Sequence, residues 1–188
     1  AVEHGAVTKL LAALDKASRL TEPTDEYEED LVACCGVLTG GHPAGIAQLF
    51  SADCGDGSAF APIVRCLRPG SPRLAAVSID VVTGVAAASP QFREWLSHGE
   101  ESVTRTRLPL LLQSSSPAVR ETALQLCGLL VATKGFSRAF QSVGGVQVLQ
   151  TIVDETSEDA RDSDAMTLRA APTHGELARK VLNELLFL

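Results

Sequence analysis

The side chains able to do chemistry are few and scattered. Histidines stand at 4, 42, 98 and 174, and cysteines at 34, 35, 54, 66 and 127. Zinc sites and catalytic dyads need ligands at short fixed spacing, such as two His one helical turn apart or a CxxC pair. No two histidines stand that way, and the cysteines contain no CxxC. Cys34, His42, Cys54 and Cys66 form the best available metal set, and their irregular spread makes it a poor one. Gly40-Gly41 and Cys54-Gly55-Asp56-Gly57 lack the lysine and the strand–loop–helix setting of a phosphate loop. No nucleophile-elbow pattern is present. These residues predict no enzymatic activity and no cofactor. An odd number of thiols without a disulfide framework predicts a reducing, intracellular setting, cytoplasmic or nuclear. Cys34, Cys35 and Cys127 lie in apolar helical runs, where a free thiol is expected to act as a small hydrophobe.

Charge is the other chemical signal. The net charge of −7 disfavours nucleic acid, whose phosphates are held by Lys and Arg. The acid is gathered in two clusters: Glu22, Asp25, Glu26, Glu28, Glu29 and Asp30, and then Asp154, Glu155, Glu158, Asp159, Asp162 and Asp164. Such clusters are solvated segments or docking surfaces for a basic partner.

These residues must be positioned by helices. The 188-residue chain is 45% hydrophobic and only 4% aromatic, a Leu/Val/Ala composition suited to helix-on-helix packing. No apolar run reaches the roughly 18 residues of a membrane span, and the start of the chain has no secretory-signal pattern. Val7, Leu10, Leu11 and Leu14 recur at one-face spacing, as do Phe60, Ile63, Val64 and Leu67. The predicted helices are 2–14, 28–38, 43–50, 60–67, 74–88, 90–97, 103–112, 119–132, 136–142, 145–153 and 175–187. Gly40-Gly41 and Pro69-Gly70-Ser71-Pro72 mark stops and turns.

Read for repetition, the helices fall into triplets. The clearest period joins the run Val119-Arg120-Glu121-Thr122-Ala123-Leu124-Gln125-Leu126-Cys127-Gly128-Leu129-Leu130, the short segment Phe136 to Phe140, and Gly144-Gly145-Val146-Gln147-Val148-Leu149. This pattern resembles the armadillo repeat, whose three helices occupy about 40 residues. The likeness is strongest over 117–153, moderate over 59–112 and weakest at both ends, and helical arrays of the related HEAT type share it. It implies an all-α fold, a right-handed α-solenoid of about four repeats with the first incomplete. Residues 1–188 are expected to form a single domain, with 154–174 as an acidic flexible insertion in the last repeat. A first helix is expected ahead of Ala1, outside the present sequence.

In armadillo proteins the third helices line a concave groove, where Asn clamps the backbone of a bound peptide and Trp flanks its side chains. The Asn position holds Gly36, Gly84, Gly128 and Asn183, spaced 48, 44 and 55 residues apart (36 to 84, 84 to 128, 128 to 183). The Trp position holds Val32, Asp80, Leu124 and Arg179. The usual backbone clamp is therefore missing, which argues against a receptor for nuclear-localisation signals. Three glycines at one helical position call for either tight packing between helices or a groove floor kept shallow for a bulky partner. Glu28, Asp80 and Glu121 share these faces. The resemblance thus implies a protein-interaction scaffold whose third-helix groove takes a basic or apolar partner segment. An alternative is the armadillo module of a multidomain co-chaperone or exchange factor. Self-association through the incomplete first repeat is a third expectation, and neither membrane nor nucleic acid is expected as a partner. Trp95, on a first helix, is expected to be packing.

Overall fold

In a computed structural model, residues 5–17, 25–40, 60–68, 70–98, 102–162 and 173–187 are described, with side chains 157–162 and 187 excepted. The segment predicted as helix 43–50 lies outside them, as do His42 and Cys54. Every regular element among the described residues is a helix. None of these helices is long and apolar enough to cross a membrane. Chain contacts divide into two compact units, Ala1–Leu96 and Ser97–Leu188, where the sequence predicts a single domain.

In the first unit, α1 (Ala6–Ala17) buries Val7, Leu11, Leu14 and Ala17, an i, i+4, i+7 stripe. Gly5 precedes it with φ +86°, a conformation that suits glycine. Helix α2 (Asp25–Thr39) begins three residues before the predicted start at Glu28. Asp25, Glu26 and Glu28 fill its first turn, where negative charge complements the helix dipole. The first acidic cluster is thus largely helix rather than loop. α2 packs against α1 on one side and against α4 (Pro72–Ala88) on the other. Short α3 (Ala61–Arg65) packs on α1 and α4. α5 (Pro90–Ser97) follows, with Phe92 buried; its ring lies 4.7 Å from that of Phe60 and 5.6 Å from Trp95. Trp95 therefore stacks on a core ring while itself remaining half-buried.

In the second unit, the predicted helix 103–112 is two helices, α6 (Val103–Thr106) and α7 (Leu108–Leu112). Pro109 lacks an N–H and its ring crowds the carbonyl four residues back, so the ladder breaks at Arg107. The Arg107 carbonyl then accepts from the N–H groups of both Leu110 and Leu111, at 3.0 Å each. α8 (Pro117–Leu130) buries Val119, Ala123, Leu124, Leu126, Cys127 and Leu130, and packs against α7 and α11 (His174–Phe187). α9 (Phe136–Ser142) stacks Phe136 on Phe140 at 5.2 Å. Gly145 opens α10 (Gly145–Asp162) beside that pair; a Cβ there would lie 2.5 Å from the Phe140 ring, so the approach requires glycine.

α10 is longer than the predicted helix 145–153. Its helix continues to Asp162, through the first nine residues of the predicted flexible insertion. No Pro or Gly interrupts 146–162, Ile152 and Val153 remain buried, and Gln150 Nε2 donates to Asp154 Oδ1 at 3.0 Å. The acids ride on a helix anchored by its apolar side. Residues 163–172 lie outside the described residues. α11 then starts with a reciprocal cap: the Thr173 N–H donates to Glu176 Oε2 at 2.8 Å, and the Glu176 N–H to Thr173 Oγ1 at 3.3 Å.

Candidate interaction surfaces

The ten residues predicted for the third-helix face separate into buried and exposed sets. On α2, Glu28 and Val32 are each 0% exposed, so neither is a surface contact. Gly36 faces α4, where a Cβ would lie 2.8 Å from Val81 Cγ2. The stripe drawn as groove lining on α2 is its packing seam with α4. On α8, Leu124 is 1% exposed and belongs to the core of the second unit. These placements remove Glu28, Val32 and Leu124 from the predicted contact set.

The remaining positions reach solvent. Asp80 and Gly84 lie on the outer side of α4, one turn apart. Gly128 is exposed on α8 and Glu121 is half-buried two turns earlier. Arg179 and Asn183, also one turn apart, are exposed on α11. A Cβ built at Gly84 or at Gly128 meets nothing within 4 Å. Tight packing between helices therefore explains Gly36 but neither of the other two.

The largest electrostatic structure was missed in the sequence. Arg68, after α3, is salt-bridged to the buried Glu28 and lies 3.4 Å from Asp25 Oδ1. Ser71 Oγ donates to Asp25 Oδ2 at 2.6 Å, Arg73 reaches Glu29 at 3.3 Å, and Arg65 pairs with Asp15 of α1. The acids of α2 are thus partly neutralised by a basic stretch some forty residues later. The available signal was the arginine density at 65, 68 and 73 opposite the acidic cluster. Between α2 and the start of α4 lies a cleft of about 500 Å³, lined by Asp25, Glu26, Glu29 and Asp30 together with Ser71 and Arg73.

The thiols also divide. Cys34 is exposed, against the expectation that it packs as a hydrophobe, while Cys35, Cys66 and Cys127 are buried. Burial, reinforced by neighbouring Cys34 and Cys66, pushes the Cys35 thiol up to about 12. Burial and then the nearby Glu28 carboxylate push Cys66 up to about 12. Burial alone raises Cys127. Such thiols are poor nucleophiles and poor ligands. Among the described residues no group of three His, Cys, Asp or Glu side chains is arranged to hold a metal ion.

A scan of the chain against protein-family models finds no match, and neither curated proteins nor solved structures match it.

Proposed function

We propose that the chain is a protein-binding helical scaffold of armadillo-like build, in which α2, α4, α8 and α11 are the third helices of successive repeats. The order of lengths supports that architecture: short α5, then α6 and α7, then long α8, followed by short α9, then α10 and α11. So does the packing of α2 on α4 and of α8 on α11. Each unit offers its own candidate face, the outer side of α4 in the first and that of α8 in the second.

One observation carries this reading. Gly84 and Gly128 stand inside helices, on exposed faces, with open space where a side chain would begin. An interior glycine costs a helix about 1 kcal/mol relative to alanine. Among the described residues nothing within 4 Å offsets that cost at these two positions, whereas at Gly36 the contact with Val81 does. The open space leaves room for close approach of another chain's backbone. Asp80 on α4 and Glu121 on α8 place negative charge on the same faces, which favours a segment bearing Lys or Arg among apolar residues.

The test is binding of fluorescent peptides drawn from a library that combines Lys/Arg with Leu, Val and Phe. At least one should bind, and Gly84→Gln, Gly128→Gln and Asp80→Arg should each weaken it by about tenfold, equivalent to 1.4 kcal/mol, with helical circular dichroism unchanged. Binding that ignores all three substitutions would remove these faces from consideration.

A further inference from the structure

The sequence contains three Ser-Pro dipeptides, Ser71-Pro72, Ser89-Pro90 and Ser116-Pro117. Each sits where a helix begins, as Ser before Pro often does. The structure separates them by what each hydroxyl is doing. Ser89 is 4% exposed, and its Oγ accepts from the Phe92 N–H at 3.2 Å, so it is a working cap sealed from solvent. The Ser71 hydroxyl is occupied, donating to Asp25 at 2.6 Å in a cleft lined by Glu26, Glu29 and Asp30 with Arg73, where four carboxylates outnumber the one lining arginine and disfavour added negative charge. Ser116 is different. It is partly exposed, its backbone is extended (φ −81°, ψ 116°), and its side chain makes no capping hydrogen bond. Gln113, Ser115, Pro117 and Ala118 around it are exposed.

We propose that Ser116 is the acceptor for a proline-directed serine/threonine kinase and that its phosphate stabilises the start of α8. In the transfer, the bond between Ser116 Oγ and the γ-phosphorus of ATP forms as the bond from that phosphorus to the bridging oxygen breaks. ADP leaves, and the hydroxyl proton passes to the kinase's base. The product carries a charge between about −1.5 and −2 at the helix N-terminus. There the N–H groups of Ala118 and Val119 have no intrahelical acceptor, and Pro117 has no N–H. The Arg120 N–H already donates to the Ser116 carbonyl at 3.1 Å. One turn on, the Arg120 side chain has an Nε without a hydrogen-bond partner and an Nη1 no nearer than 3.8 Å to Glu155. It is a cation with one long ion pair and an unused Nε, one helical turn after the modified serine. This inference is independent of the partner reading: it concerns the link before α8, not the faces bearing Gly84 and Gly128.

The experiment incubates the folded 188-residue chain with a purified proline-directed kinase and Mg-ATP, then maps phosphopeptides and compares melting curves. Ser116 should be labelled in preference to Ser71 and Ser89. Ser116→Ala should remove the label, and so should Pro117→Ala, which keeps the hydroxyl. The phosphorylated chain should melt about 2 °C higher, and Arg120→Gln should be labelled equally well but lose part of that rise. Labelling at Ser71 or Ser89 instead, no labelling of the folded chain, or a melting point unmoved or lowered by the phosphate overturns the proposal. A full rise in Arg120→Gln overturns the part assigned to Arg120.

Discussion

Glu28 and Arg68, forty residues apart, form an ion pair whose two ends differ in burial: the Glu28 side chain is 1% exposed and that of Arg68 is 32% exposed. A buried carboxylate stripped of its partner is costly, whereas a guanidinium at the edge can be hydrated. Glu28 Oε1 and Arg68 Nε have no hydrogen-bond partners, so the pair is not fully satisfied. Arg68→Met should therefore destabilise by about 3–5 kcal/mol, and Glu28→Gln by less. Replacing both by apolar residues should be close to neutral. Urea denaturation of the three variants checks this, and equal losses for the two single variants would contradict the asymmetry.

The glycines give opposite signs in one experiment. Gly84→Ala and Gly128→Ala should each stabilise the free chain by about 0.5–1 kcal/mol, because alanine is the better helix former and meets no obstacle. Gly36→Ala should destabilise, since its methyl group would lie 2.8 Å from Val81 Cγ2. Gly145→Ala should do the same against the Phe140 ring, at 2.5 Å. Thermal melts report all four.

Leu124 and Asp80 respond differently to charge. Leu124→Glu places an unpaired carboxylate in the core of the second unit and should cost several kcal/mol, showing as loss of cooperative unfolding. Asp80→Arg changes an exposed side chain and should move stability by no more than about 0.5 kcal/mol. Only the second is a clean probe of partner binding. Circular dichroism of both variants before any binding assay distinguishes them.

Thiol chemistry should follow burial. At pH 8 in the native state, iodoacetamide should modify Cys34 while Cys35, Cys66 and Cys127 react only on unfolding, as peptide mapping would show. The same burial sets a pH dependence. Cys35 and Cys66 hold their protons in the folded chain to about 12, against 9.0 for an ordinary thiol. Between those values the folded state binds more protons than the unfolded state, so stability falls as pH rises from about 9 toward 12 and is unaffected by these groups below 9. Cys35→Ser/Cys66→Ser should flatten that alkaline slope.

Helix existence was readable because helical periodicity is local. The predicted bounds of α5, Pro90–Ser97, and α9, Phe136–Ser142, coincide with the observed ones. The boundaries that moved did so for local reasons overlooked: the Pro109 break, and an acidic run that lacks helix breakers. The capping pair Thr173 and Glu176 was also there to be read, as Thr-x-x-Glu at a helix start. The candidate site was much less legible. Glu28, Val32, Gly36 and Leu124 were taken as surface from a repeat position, and the structure turns them inward.

The sequence by itself determined where the described residues are helical and where most of those helices start and stop. Those properties depend on neighbours within a turn or two. Only the tertiary structure decided which side of each helix is buried, because that depends on what another segment presents to it. The second half of α2, Leu31 to Leu38, is apolar on every side, so its inner face was set by α4 rather than by its own pattern. Three glycines that look equivalent in sequence were divided in the same way: Val81 stands over Gly36, and open space lies over Gly84 and Gly128.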